Sequence, residues 1–119
     1  MKNQKKQTAK NNIVILHGEA MIVPSILPEG LAKIDPSNQN YMVIADSETT
    51  GNHHVVDAGE GVFFYQKGEN IYMENTAPTR VRCLHENRHS TIEIPPGCWE
   101  FGTQQEYDHL EQEMRKVRD

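Results

Sequence analysis

Between residues 13 and 101 the chain alternates short apolar, β-branched runs with clusters of turn residues, and a helical period emerges only near the end. Nine runs read as strands: 13–16, 20–23, 41–45, 54–56, 62–66, 70–74, 79–85, 91–94 and 98–101. Between them lie Pro24, Pro28 with Gly30, Asp35-Pro36-Ser37-Asn38, Gly51-Asn52, Gly59-Glu60-Gly61, Gly68, Pro78 and Pro95-Pro96-Gly97, the residues that reverse a chain. The gaps are too short for crossover helices, so the strands are expected to pair antiparallel. The pattern predicts an all-β domain over 13–105, a small antiparallel β-sandwich or barrel, jelly-roll-like in outline.

The two ends depart from this pattern. Residues 1–12 are rich in Lys, Asn and Gln and have no apolar period, so alone they bury too little surface to offset their ordering entropy. They are expected to form an extended basic arm. Over 106–119, Asp108 can cap a helix on which Leu110, Met114 and Val117 share one face. Acids come early (Glu111, Glu113) and bases late (Arg115, Lys116, Arg118), the order a helix dipole favours. A short C-terminal helix is predicted there, packed on the sheet.

At 119 residues the chain has room for one domain, and 36% apolar residues make its core a thin one. Charge is unevenly spread. Lys2, Lys5, Lys6 and Lys10 leave the remainder with 8 basic side chains against 17 acidic ones. An acidic body argues against specific nucleic-acid binding, which needs a basic face to displace counterions. No apolar run reaches the length of a membrane span, and the first residues lack the apolar stretch of a signal peptide, so neither membrane insertion nor secretion by that route is expected. Cys83 and Cys98 are too far apart for a zinc knuckle and too few for a disulfide scaffold. In the alternating run 79–85, Cys83 shares a face with Val81 and His85 and is expected to point inward.

Histidine is the candidate for chemistry. Four of the six fall in two clusters, His53-His54 and His85-Glu86-Asn87-Arg88-His89. If Leu84 and Ser90 lie on strands joined by a loop at 86–88, His85 and His89 stand opposite each other, Cβ atoms roughly 5 Å apart. Adjacent strand residues face opposite ways, so only one of His53 and His54 can join them, and His54 is the better placed. His54, His85 and His89 would then form a three-imidazole site for zinc or non-haem iron, with Glu86 or Glu48 as a carboxylate donor. The competing reading is a histidine pair stacked at the sheet rim.

Other motifs are incomplete. His89-Ser90-Thr91 has the form used by two-histidine phosphoesterases, but a second such unit is absent. Residues 47–52 read as turn chemistry. The aromatic runs at 62–65 and 71–72 read as core and sheet face, with too few interleaved bases for a nucleic-acid platform. Phosphate loops, nucleophile elbows and Cys-x-x-Cys pairs are missing, so no catalytic set is assigned.

Several words in the chain, taken together, resemble a family of small uncharacterised proteins of bacteriophages and bacterial genomes. They are His17-Gly18-Glu19-Ala20-Met21-Ile22-Val23-Pro24, Thr50-Gly51-Asn52-His53-His54, His85-x-x-x-His89-x-x-Ile92-x-Ile94-Pro95-Pro96-Gly97-x-Trp99 and Gln104-Gln105-Glu106-Tyr107. The likeness runs from His17 to the C-terminus. Where the family's middle motif has Thr-Gly-His-x-His, Asn52 replaces the first histidine, and Trp99 replaces the usual Tyr. The substitution at Asn52 weakens a complete metal site. The resemblance implies a phage or prophage setting and a compact β fold, with no reaction attached.

The expectation is a non-enzymatic phage structural or auxiliary protein, capsid-associated, located in the virion or the host cytoplasm. It would bind other phage structural proteins or its own copies through the arm (Lys2, Lys5, Lys6, Lys10) and a sheet edge. The alternatives are a histidine-based metal module or enzyme and an inhibitor of host defence.

Overall fold

A computed structural model describes residues 13–36, 40–46, 53–85 and 90–103. Ten strands are seen among them: β1 (Ile15–His17), β2 (Ala20–Pro24), β3 (Ala32–Ile34), β4 (Tyr41–Asp46), β5 (His53–Asp57), β6 (Val62–Lys67), β7 (Asn70–Asn75), β8 (Thr79–Cys83), β9 (Ile92–Ile94) and β10 (Gly97–Thr103). All nine expected strands are present, within about two residues at their ends. The tenth, β3, is short, and its Ala32 and Lys33 are exposed, so it carries no apolar alternation to read. The expected arm at 1–12 and helix at 106–119 lie outside the described residues.

Every pairing is antiparallel. Six strands form one sheet in the order β1-β2-β10-β7-β6-β3, and four form the other, β4-β5-β8-β9. The path between them follows a regular zigzag. β3 pairs with β6 while the strands between them, β4 and β5, pair in the other sheet; β7 pairs with β10 while β8 and β9 do the same. β6–β7 and β5–β8 join these units side by side, and β2 finally clasps β10. Tight hairpins make the local turns. At His17-Gly18-Glu19-Ala20, Gly18 has φ +60°, a left-handed conformation that glycine adopts without steric cost.

The two sheets share one core. Ile15, Ile22, Phe64, Met73, Trp99 and Phe101 come from the larger sheet, and Val56, Val81 and Ile94 from the smaller. Trp99 is 1% exposed and its indole N–H donates to Asn75 Oδ1 at 2.9 Å. The Asn75 amide in turn donates to the carbonyls of Ala77 (2.9 Å) and Pro95 (3.0 Å), tying β7 to the loops beyond it and to the end of β9. A buried indole N–H and a buried amide are costly unless paired, so this network lets polar atoms sit in the core.

The turn after β5 is fixed by a second glycine. Gly61 has φ +83°, and a Cβ there would stand 2.7 Å from Thr76 Oγ1. Backbone bonds from Val62 N–H to Gly59 O (3.1 Å) and from Thr76 N–H to Gly61 O (2.8 Å) hold this corner against the end of β7.

Candidate metal centre

Three buried side chains with metal-ligating atoms converge from three strands: His17 at the end of β1, His54 on β5 and Cys83 at the end of β8. Their donor atoms all lie within 4.8 Å of one another. None of the three residues is more than 6% exposed. The placement follows from strand alternation and register. In β1, Ile15 and His17 face inward while Leu16 faces out. In β8, Thr79, Val81 and Cys83 are buried and Arg80 is exposed. His54 and Cys83 are direct partners across the β5–β8 ladder, which puts their side chains side by side on the inner face. His17 arrives from the other sheet.

His17 Nδ1 and His54 Nδ1 lie 2.9 Å apart, with the rings edge to face at 89° and 5.0 Å between centroids. At that separation the two nitrogens cannot both carry a proton. Either one donates to the other, or both turn lone pairs toward a shared cation.

The structure bears unevenly on the expected triad of His54, His85 and His89. His54 is buried at the cluster, and His53, its neighbour, is more exposed, as strand alternation requires. His85 is exposed and lies beyond the end of β8, so the face expected to join it with Val81 and Cys83 stops at Cys83. Across the β8–β9 ladder Val81 faces Ile92. His89 itself lies outside the described residues, as do Glu48 and Glu86. Lys2, Lys5, Lys6 and Lys10, the expected partner-binding residues, are outside them too.

Sequence reasoning missed His17 as a donor. Its signal was there in part: it ends an apolar run one residue before a tight glycine turn, the place where a strand residue can still face inward. Its proximity to His54 depends on how the two sheets stack, which spacing along the chain does not encode.

Elsewhere, an open groove of about 820 Å³ runs along β5, β8 and β9. At its floor the Asp57 carboxylate accepts from Arg80 Nε at 2.6 Å and Arg82 Nε at 2.8 Å, and the Arg82 guanidinium lies 5.9 Å from the Tyr41 ring centre. Glu93 stands across the ladder from Arg80. The two guanidinium groups are thus matched by carboxylates of the same surface, and with Glu60 the groove lining carries three acids against two bases. Cys98 is buried apart from the cluster, and burial, then the Glu74 carboxylate opposite it, push its thiol pKa up. Both cysteines are free thiols.

The chain belongs to the family described as Domain of unknown function (DUF8820), whose profile matches residues 3–104. No curated protein and no solved structure matches it significantly.

Proposed function

We propose that this DUF8820 chain is a non-enzymatic structural or auxiliary subunit of a bacteriophage particle, capsid-associated, which joins neighbouring copies of itself through the edge of β1 and the basic arm. The fold that would do this is a two-layer sandwich, a packing supported by the core common to both sheets. Its strand pairs nest locally, β3–β6 around β4–β5 and β7–β10 around β8–β9, and the β2–β10 clasp joins early and late strands.

One observation carries the reading: β1 is an edge strand whose outward residue, Leu16, and the two residues leading into it are exposed aliphatics. Ile13, Val14 and Leu16 are 59%, 40% and 49% exposed. The other three edges carry devices that discourage pairing. β3 presents Lys33 and is followed by Asp35 and Pro36; β4 has a break in register between Val43 and Ala45; β9 has Glu93 in its middle and Pro95 after it. Residues 13–16 have no charge, proline or bulge. An edge of this kind suits strand addition by a neighbour, in which backbone hydrogen bonds supply affinity and the aliphatic side chains supply fit. Charge adds direction, since a four-lysine arm precedes β1 and the body it would meet on another copy is acidic. The phage setting rests on the motif resemblance described above.

Light scattering and sedimentation of the full chain test the assembly. Oligomers are expected that dissociate in Leu16→Lys and in a chain lacking residues 1–12, with the β fold kept by circular dichroism. A full-length protein that stays monomeric at high concentration overturns the reading. Particle incorporation that is indifferent to the arm deletion overturns the capsid role. No described feature singles out inhibition of host defence.

A further inference from the structure

The geometry points to a buried zinc site made by His17, His54 and Cys83 that clips the six-stranded sheet to the four-stranded one. This is independent of the assembly role. The donors are two imidazole nitrogens and one sulfur, and among the described residues no carboxylate belongs to the group. Soft sulfur with imidazole suits zinc, whereas magnesium, calcium and the two-histidine, one-carboxylate iron sites need oxygen ligands. Iron, an expectation of the histidine count alone, is therefore the poorer match.

The spacing is also right for a single ion. Tetrahedral zinc with bonds of about 2.0 Å to nitrogen and about 2.3 Å to sulfur holds its donors roughly 3.3–3.6 Å apart. The two Nδ1 atoms, at 2.9 Å, need to separate by only a few tenths of an ångström, and the sulfur lies within 4.8 Å of the nitrogen that each histidine offers. The side-chain torsions of the three residues are the freedom by which the donors would close on one ion. Three protein donors leave one position for water.

The strand origins say what such an ion would do. His54 and Cys83 are already joined by the β5–β8 ladder, so zinc adds nothing to that pairing. His17 belongs to the other sheet, and the Zn–N bond to it would be a strong inter-sheet tie at the point where the His17 and His54 rings already meet. With all three donors buried, the ion would be closed off from any sizeable substrate. The role is structural.

The test uses full-length, tag-free protein loaded with zinc, passed through gel filtration, and assayed for bound metal, with Co²⁺ as a spectroscopic substitute. One zinc per chain is expected, and the cobalt form should show a sulfur-to-cobalt charge-transfer band in the near ultraviolet. Cys83→Ala should lose both the zinc and the band. His85→Ala and Cys98→Ala should keep both. Should Cys83→Ala fail to fold, the band in the wild-type and Cys98→Ala proteins still reports Cys83 ligation. Substoichiometric zinc in the wild type, a cobalt spectrum without thiolate character, or zinc lost in His85→Ala and kept in Cys83→Ala each overturns the assignment. Loss of zinc without change in oligomeric state keeps this inference separate from the assembly reading.

Discussion

β10 runs between two buried polar sites that solve the same problem differently. At its start Gly97 pairs with Asn75; near its end Thr103 pairs with Ala20, whose hairpin partner is His17. The two are roughly 20 Å apart along the strand. At the first, the Asn75 amide is committed to backbone carbonyls and its oxygen to the Trp99 indole, so the site is closed by the chain's own atoms. At the second, two imidazoles and a thiol point at one another, and the protein's own chemistry does not exhaust what those atoms can bind. The first should be intrinsic to folding, the second conditional on what the solution supplies.

The sharpest way to break that contrast is at Trp99. Trp99→Ala removes the largest fully buried side chain together with the indole donor, and about 3–5 kcal/mol of unfolding free energy should go, measured by urea titration. Zinc comes next. At about 100 times its dissociation constant it should stabilise the wild type by about 2.7 kcal/mol and leave Cys83→Ala unaffected. Equal zinc shifts in the two proteins would erase the distinction between the sites. Asn75→Ala, which strands the Trp99 N–H in the core, should cost about 1–3 kcal/mol whether zinc or a chelator is present. A cost that depends on zinc would mean the two ends of β10 are coupled.

A smaller effect sets a pH baseline for both. Burial raises the pKa of Tyr65, Tyr72 and Cys98, with Glu74 adding to the first and third and Glu100 to the second. Groups whose folded pKa exceeds the unfolded one favour folding fully at pH values below the unfolded pKa, and that contribution is lost as the pH rises through the folded pKa. Stability should therefore be insensitive to these groups at neutral pH and decline in thermal melts as pH climbs past 9 for the thiol and 10 for the phenols. Cys98→Ala should make the first part of that decline shallower. Least of all, Arg80→Ala should change stability by less than about 1 kcal/mol, because the Arg80 side chain is largely in solvent and Asp57 keeps its pair with Arg82.

Much of the fold was legible because turn residues punctuate the sequence at nearly every reversal. Runs such as 62–66 and 70–74 announce a hairpin by alternation on either side of Gly68. β3 was not legible, since an edge strand with an exposed Lys33 buries too little to leave a pattern. At the site, His54 was chosen over His53 by strand parity, and the inward turn of Cys83 followed from the same rule. His85 lies exposed beyond the end of β8, so Cys83 is the residue that stands beside His54, and His89 is outside the described residues. Nothing along the chain announced His17 as their neighbour. Parity is a local property, whereas the meeting of β1 with β5 and β8 is decided by how the layers stack.

The position of β10 has a consequence for biogenesis. The strand made last among those described lies in the middle of the larger sheet, between β2 and β7. The strands from β3 to β9 can pair before it is made, but the first hairpin has no partner in the sheet until residues 97–103 are present, and Trp99 arrives with them. A chain that stops short of β10 leaves an open seam between β2 and β7.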